Sequence, residues 1–225
     1  MTFAEKNKKE LFLDRLPDAT QKGLLLAAKQ QLVSPEKWYL AGGTALALQV
    51  GHRESVDLDF FTESKTFDTS SLERKLVAIG EWETTLIQDG TLYGEMAGAH
   101  MSFIAYPFFH PSEKPMHYGH VRILPPEDIA AMKIIAVSQR GRKRDFIDLF
   151  WYCHNRENLK TIFERALKQY PQQHNVPHIL KSLIYFEDAE QDPMPRLHFE
   201  ADWPQVKNFF EEEVPRITKR LLGLD

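Results

Sequence analysis

The chain has 225 residues at 26.2 kDa, is 43% hydrophobic and 27% charged, and carries a formal net charge of −4. That composition excludes a disordered chain and a broadly basic protein that coats nucleic acid, while the lone Cys153 excludes an internal disulfide framework and a multi-cysteine zinc site. No apolar stretch approaches the ~18 residues of a membrane span, and the polar N-terminus (Lys6, Lys8, Lys9, Glu10) does not read as a signal peptide, so the expectation is a cytoplasmic protein with no membrane partner.

Leu24, Leu25, Ala28 and Leu32 recur at helical spacing within residues 19–32, and Pro35 closes that helix. Residues 38–41 form a short apolar strand running into Gly42-Gly43, and 44–50 read as a short helix stopped by Gly51. Over 56–61 the pattern alternates as a strand, with Val56, Leu58 and Phe60 on one face and Asp57 and Asp59 on the other. Residues 70–79 are helical up to Gly80. Strands are expected at 83–88, 92–96 and 101–106, the first two joined by the hairpin signal Asp89-Gly90. A loop with three prolines covers 107–120 before a strand at 121–123. From Pro125 the pattern turns helical, over 126–139, 145–153, 159–167, 178–186 and 203–222, with Asp192-Pro193-Met194-Pro195 as a linker before the last helix. The expected organisation is an α/β core at 1–124 and a helical part at 125–225.

Asp57 and Asp59, at i and i+2 of a strand, project from one face with roughly 7 Å between their Cα atoms. Such a pair suits hard divalent cations that share oxygens with a phosphate; the plain alternative is a strand with one wet face. Gly42-Gly43 before a helix lets backbone approach a phosphate that the helix N-terminus then holds, and would otherwise be a tight strand-to-helix turn. Further on, Lys133 and Arg140 share a helix face at i and i+7, and Asp145 and Asp148 share one at i and i+3. Lys133 also reads as a snorkelling lysine, Asp145 as the N-cap of a helix starting at Phe146, and Arg53 as a phosphate ligand or the partner of a nearby acid. The acid-free stretch 129–144, with Lys133, Arg140, Arg142, Lys143 and Arg144, reads as a positive patch inside an acidic total. His100, His110, His117 and His120 lack metal-ligand spacing, and Cys153-His154 diverge on a helix, so Cys153 reads as an apolar core cysteine.

Gly42-Gly43-Thr44-Ala45-Leu46-Ala47-Leu48 followed by His52-Arg53-Glu54-Ser55-Val56-Asp57-Leu58-Asp59-Phe60-Phe61 resembles the nucleotidyltransferases of the AbiEii/AbiGii toxin type. Those are the enzymatic halves of type IV toxin–antitoxin systems, within the DNA polymerase β-like superfamily. The resemblance extends to Lys133-Ile134-Ile135-Ala136, Arg140 and Arg144-Asp145-Phe146-Ile147-Asp148-Leu149, covering about residues 35–155. It implies a mixed-sheet nucleotidyltransferase core in which Asp57 and Asp59 bind Mg²⁺ or Mn²⁺. It further implies that Gly42, Gly43, Thr44, Arg53 and Ser55 face the triphosphate, that Lys133 neutralises phosphate, and that Asp148 is the later acidic residue, with Asp145 one turn before it. The implied reaction moves a nucleoside monophosphate from an NTP to a hydroxyl of a tRNA 3′ end or a protein, and the implied antitoxin need not touch this chain.

One departure stands out. The superfamily places a third carboxylate on a later central strand, but residues 99–106 contain no Asp or Glu. Three readings follow: Glu95 on the preceding strand substitutes, Asp148 takes the role, or the chain is a non-catalytic nucleotide-binding module acting through a partner.

Overall fold

A computed structural model describes residues 11–34, 37–172, 175–221 and 223; the N-terminal lysines, the Pro35 stop and Leu222 lie outside them. The chain divides into two compact units, Met1–Ile129 and Ala130–Asp225.

In the first unit, helix α1 (Asp18–Gln30) ends on Gln31 in the left-handed conformation. Strand β1 (Trp38–Ala41) is buried throughout and passes directly into α2 (Gly42–Val50), which Gly51 caps. Strand β2 spans Leu58–Thr62. It starts two residues later than the alternation predicts, so Asp57 precedes the ladder and Val56 is exposed. The reason is local: Ser55 N donates to Arg15 O and Val56 O accepts from Thr20 Oγ1. Those bonds tie 55–56 to the N-terminal helical region instead of to a neighbouring strand.

Helix α3 (Thr69–Ile79) is capped by Asp68, whose carboxylate accepts from Ser71 N. Strands β3 (Trp82–Gln88), β4 (Thr91–Met96) and β5 (Ala99–Ala105) form an antiparallel meander, turned first at Asp89-Gly90 as the sequence predicts. The loop expected over 107–120 contains a further strand, β6 (Met116–Tyr118), which pairs with β7 (Val121–Ile123). Three residues are too short for a period-2 signal to emerge from proline-rich surroundings.

These strands make one mixed sheet in the order β3-β4-β5-β2-β1-β7-β6, parallel at β2–β5 and β1–β7. Leu58, Phe60, Met101 and Phe103 lie on its buried face, with Phe60 and Phe103 stacked at 5.2 Å. Asp59 and its register partners Ala41 and Ser102 lie on the other.

The unit boundary falls within helix α4 (Pro126–Arg140). The second unit continues with α5 (Lys143–Asn155), α6 (Leu159–Gln169), α7 (Val176–Ser182), the single turn α8 (Glu187–Glu190) and α9 (Trp203–Leu221). Phe146, Phe186, Trp203 and Phe210 interlock edge to face at its centre. The stretch read as a linker is tied down, since Asp192 accepts from Arg142 Nη1 and Lys143 N. Residues 178–186 do not form one helix; α7 starts earlier, at Val176, and closes at Ser182.

Candidate active site

The β1–α2 junction and the approach to β2 bring six expected residues together. Gly42 has φ +73, a value that favours glycine, and a Cβ there would lie 2.9 Å from Asp59 Oδ2. A Cβ on Gly43 would lie 2.1 Å from Arg53 Nη2 and 3.4 Å from Ser55 Oγ. Thr44 Oγ1 donates to Ser55 Oγ at 2.9 Å, and Arg53, itself buried, donates through Nη1 to Glu54 O. Gly42, Gly43, Thr44, Arg53, Ser55 and Asp59 therefore occupy one corner, with bare backbone, hydroxyls, a guanidinium and a carboxylate side by side. Asp57 is half-buried two residues before Asp59.

Ser102 is the residue that the sequence reading missed. It pairs in register with Asp59, and its hydroxyl donates to Asp59 Oδ1 at 2.7 Å. It occupies the row of β5 where a carboxylate was sought. The signal was present in the strand alternation, but only the parallel β2–β5 pairing reveals which residue of 99–105 meets Asp59. Glu95 sits on β4 opposite His100 of β5, with its Oε1 3.3 Å from His100 Nδ1.

Two carboxylates supply hard oxygen donors, and Gly42 leaves the Oδ2 side of Asp59 clear of any side chain of its own. Among the described residues no three His, Cys, Asp or Glu converge to hold an ion. A pair of carboxylates completed by substrate oxygens is the usual protein share of a Mg²⁺ site, so the donors fit Mg²⁺ or Mn²⁺ arriving with a nucleotide.

The remaining expected residues form a cluster within the second unit. Lys133 Nζ lies 2.5 Å from Asp145 Oδ1 and 2.6 Å from Asp148 Oδ2, with all three side chains buried. Arg140 Nε lies 3.3 Å from Asp145 Oδ2. Burial alone would raise the Asp145 carboxyl, but the Lys133 ammonium and Arg140 guanidinium more than offset it and hold it below the usual range. Asp145 is no N-cap, because α5 begins at Lys143 after Arg142. Nor is 129–144 a bare positive patch: Arg142 pairs with Asp192 at 2.7 Å, and Lys143 Nζ donates to the carbonyls of Glu190 and Asp192. Cys153 is half-buried on α5, and burial, with Glu213, pushes its thiol up.

Residues 24–95 and 101–220 match the family described as Nucleotidyl transferase AbiEii toxin, Type IV TA system. A protein of Aquifex aeolicus (strain VF5) described as uncharacterized is 37% identical over 182 residues, covering 79% of this chain and 86% of its own. Two solved structures share the fold. A nucleotidyltransferase candidate from H. pylori has a TM-score of 0.52 at 18% identity, over 92% of this chain and 96% of the other. MenT4, a nucleotidyltransferase toxin from Mycobacterium tuberculosis H37Rv, has a TM-score of 0.53 at 14% identity, over 97% and 90%.

Proposed function

Since this chain belongs to the AbiEii family of nucleotidyl transferase toxins, we propose that it moves a nucleoside monophosphate from an NTP to an acceptor hydroxyl at the corner that holds Asp57 and Asp59. The observation that carries this reading is the convergence of Gly43, Thr44, Arg53 and Ser55 beside Asp59. The bare Cα atoms admit a phosphate to the N-terminus of α2, whose leading N–H groups lack intrahelical acceptors. Ser55, whose oxygen accepts from Thr44, adds a hydroxyl donor, and Arg53 offsets triphosphate charge. The acceptor oxygen attacks the α-phosphorus and pyrophosphate leaves in line. Asp57 and Asp59 would hold Mg²⁺ or Mn²⁺, which when bound neutralises charge on the triphosphate and the leaving group.

Lys133 keeps a smaller share in this reading. An ammonium has three donors, and two of those of Lys133 serve Asp145 and Asp148 within the second unit. Asp148, with Asp145, orients that ammonium. A tRNA 3′ end and a protein hydroxyl are the two acceptors to test, and a cognate antitoxin acts without obligatory contact.

The experiment incubates each labelled NTP with the full chain, Mg²⁺ or Mn²⁺, and total RNA or a protein extract. Wild type labels one acceptor class, and Asp57→Ala and Asp59→Asn each lower the rate about a thousandfold, equivalent to about 4 kcal/mol of transition-state stabilisation. Undiminished labelling by Asp57→Ala refutes the site. Nucleotide-dependent thermal protection with no labelled acceptor favours a nucleotide-binding module that works through a partner.

A further inference from the structure

Nucleotidyl transfer requires a group that takes the acceptor's proton as its oxygen attacks, and the strand beside Asp59 carries no carboxylate. We propose that His100 is that base and that Glu95 is the positioning residue that orients it, an inference that rests on the transferase reading above.

Register carries the argument. Strand β5 runs parallel to β2 with Ser102 opposite Asp59 and Met101 opposite Leu58. His100 lies two residues from Ser102 and thus on the same face of the sheet, roughly 7 Å along the strand. Ser102 is committed to Asp59, and Ile104, the next residue on that face, has no proton to exchange. His100 is therefore the one titratable side chain that β5 presents on the face of the Ser102–Asp59 pair.

Strand β4 completes the device. Glu95 stands directly opposite His100, with Oε1 3.3 Å from Nδ1. A carboxylate at Nδ1 favours the proton there and leaves Nε2 with its lone pair. Glu95 of β4 faces the imidazole, and Tyr93 of β4 stands opposite Ser102 on the same face; Ala99 and Met101, which flank His100 in sequence, point to the other face, against α1 at Gly23. The His100 side chain is 65% exposed, so a bulky acceptor can reach it.

The step balances. The acceptor O–H gives its proton to His100 Nε2, and the oxygen's electron pair forms the new bond to the α-phosphorus. The bond from that phosphorus to the bridging oxygen breaks, and pyrophosphate departs with the pair. The imidazolium then returns its proton to water.

The test uses the full chain with His100→Gln, His100→Ala and Glu95→Gln, reading kcat and KM separately on the labelled acceptor. His100→Gln should lower kcat about 10²–10⁴-fold and leave KM for the NTP within about threefold. Added imidazole should restore part of the activity of His100→Ala and none of that of Asp57→Ala. Glu95→Gln should lower kcat about tenfold with KM for the NTP unchanged, because the imidazole loses the carboxylate that orients it. All three melt near wild type, since both side chains are exposed. Wild-type kcat in His100→Gln while Asp57→Ala is dead overturns the base alone. A defect confined to KM also overturns it, whereas a wild type that labels no acceptor overturns base and transferase together.

Discussion

Arg53 and Gly43 illustrate how the site is decided atom by atom. The guanidinium fills the volume that any side chain at position 43 would claim. Gly43→Ala should cost about 1–3 kcal/mol in a urea titration, through strain and displacement of a buried charge, and should weaken NTP binding as measured by calorimetry. Lys133 is the residue whose loss should cost most in the second unit. Lys133→Met deprives buried Asp145 and Asp148 of the ammonium they share, and about 3–5 kcal/mol is expected from breaking such a pair by one partner. The Asp145 carboxyl sits below its unfolded value of about 3.9. Its stabilisation is therefore complete above that pH and is lost as pH falls through the lower folded value. Acid titration followed by circular dichroism should show wild-type stability dropping only below about pH 4, with that acid-linked loss shrinking in Lys133→Met. Asp57, Asp59 and the Gly-Gly pair were legible because their chemistry is local in sequence. Ser102 and His100 were not, because their meaning comes from which strands neighbour each other.

Most elements declared themselves through periodicity and punctuation. Gly51, Gly80 and Asp89-Gly90 end or turn their elements where the sequence indicates. Strand β2 began late because tertiary bonds from Arg15 and Thr20 claimed residues 55–56, and no local pattern encodes a competing partner forty residues away. The 107–115 loop is likewise fastened by one remote side chain. Buried Asp128, near the start of α4, accepts from Ser112 N at 3.0 Å, Ser112 Oγ at 2.9 Å and Glu113 N at 3.2 Å. Asp128→Ala should cost about 1 kcal/mol or more by losing those three bonds. Hydrogen exchange at residues 112–113 should quicken with it, and an unchanged exchange rate would show that the loop holds itself.

For the whole molecule, the opening charge arithmetic acquires a location. Acids outnumber bases in the first unit, whereas the two nearly balance in the second. A triphosphate approaching the Asp57–Asp59 corner should meet net repulsion from the first unit, in which Arg53 is the buried cation among the described residues. Thermal protection by NTP should therefore require Mg²⁺ or Mn²⁺ and vanish with EDTA. The cations of 133–143 are already engaged by Asp145, Asp148, Asp192 and backbone carbonyls. Any RNA held by this chain should accordingly show a shallow dependence on salt, since few phosphate counterions would be released. No helix among the described residues is long and apolar enough to cross a membrane.

The serine opposite Asp59 has a consequence for how the protein waits between encounters. A carboxylate at position 102 would face Asp59 as a like charge, and one of the two would have to keep a proton or recruit an ion for the strands to close. A hydroxyl donating at 2.7 Å sets no like charge against Asp59. The idle protein should therefore keep its shape without metal, and its melting temperature without nucleotide should ignore chelator.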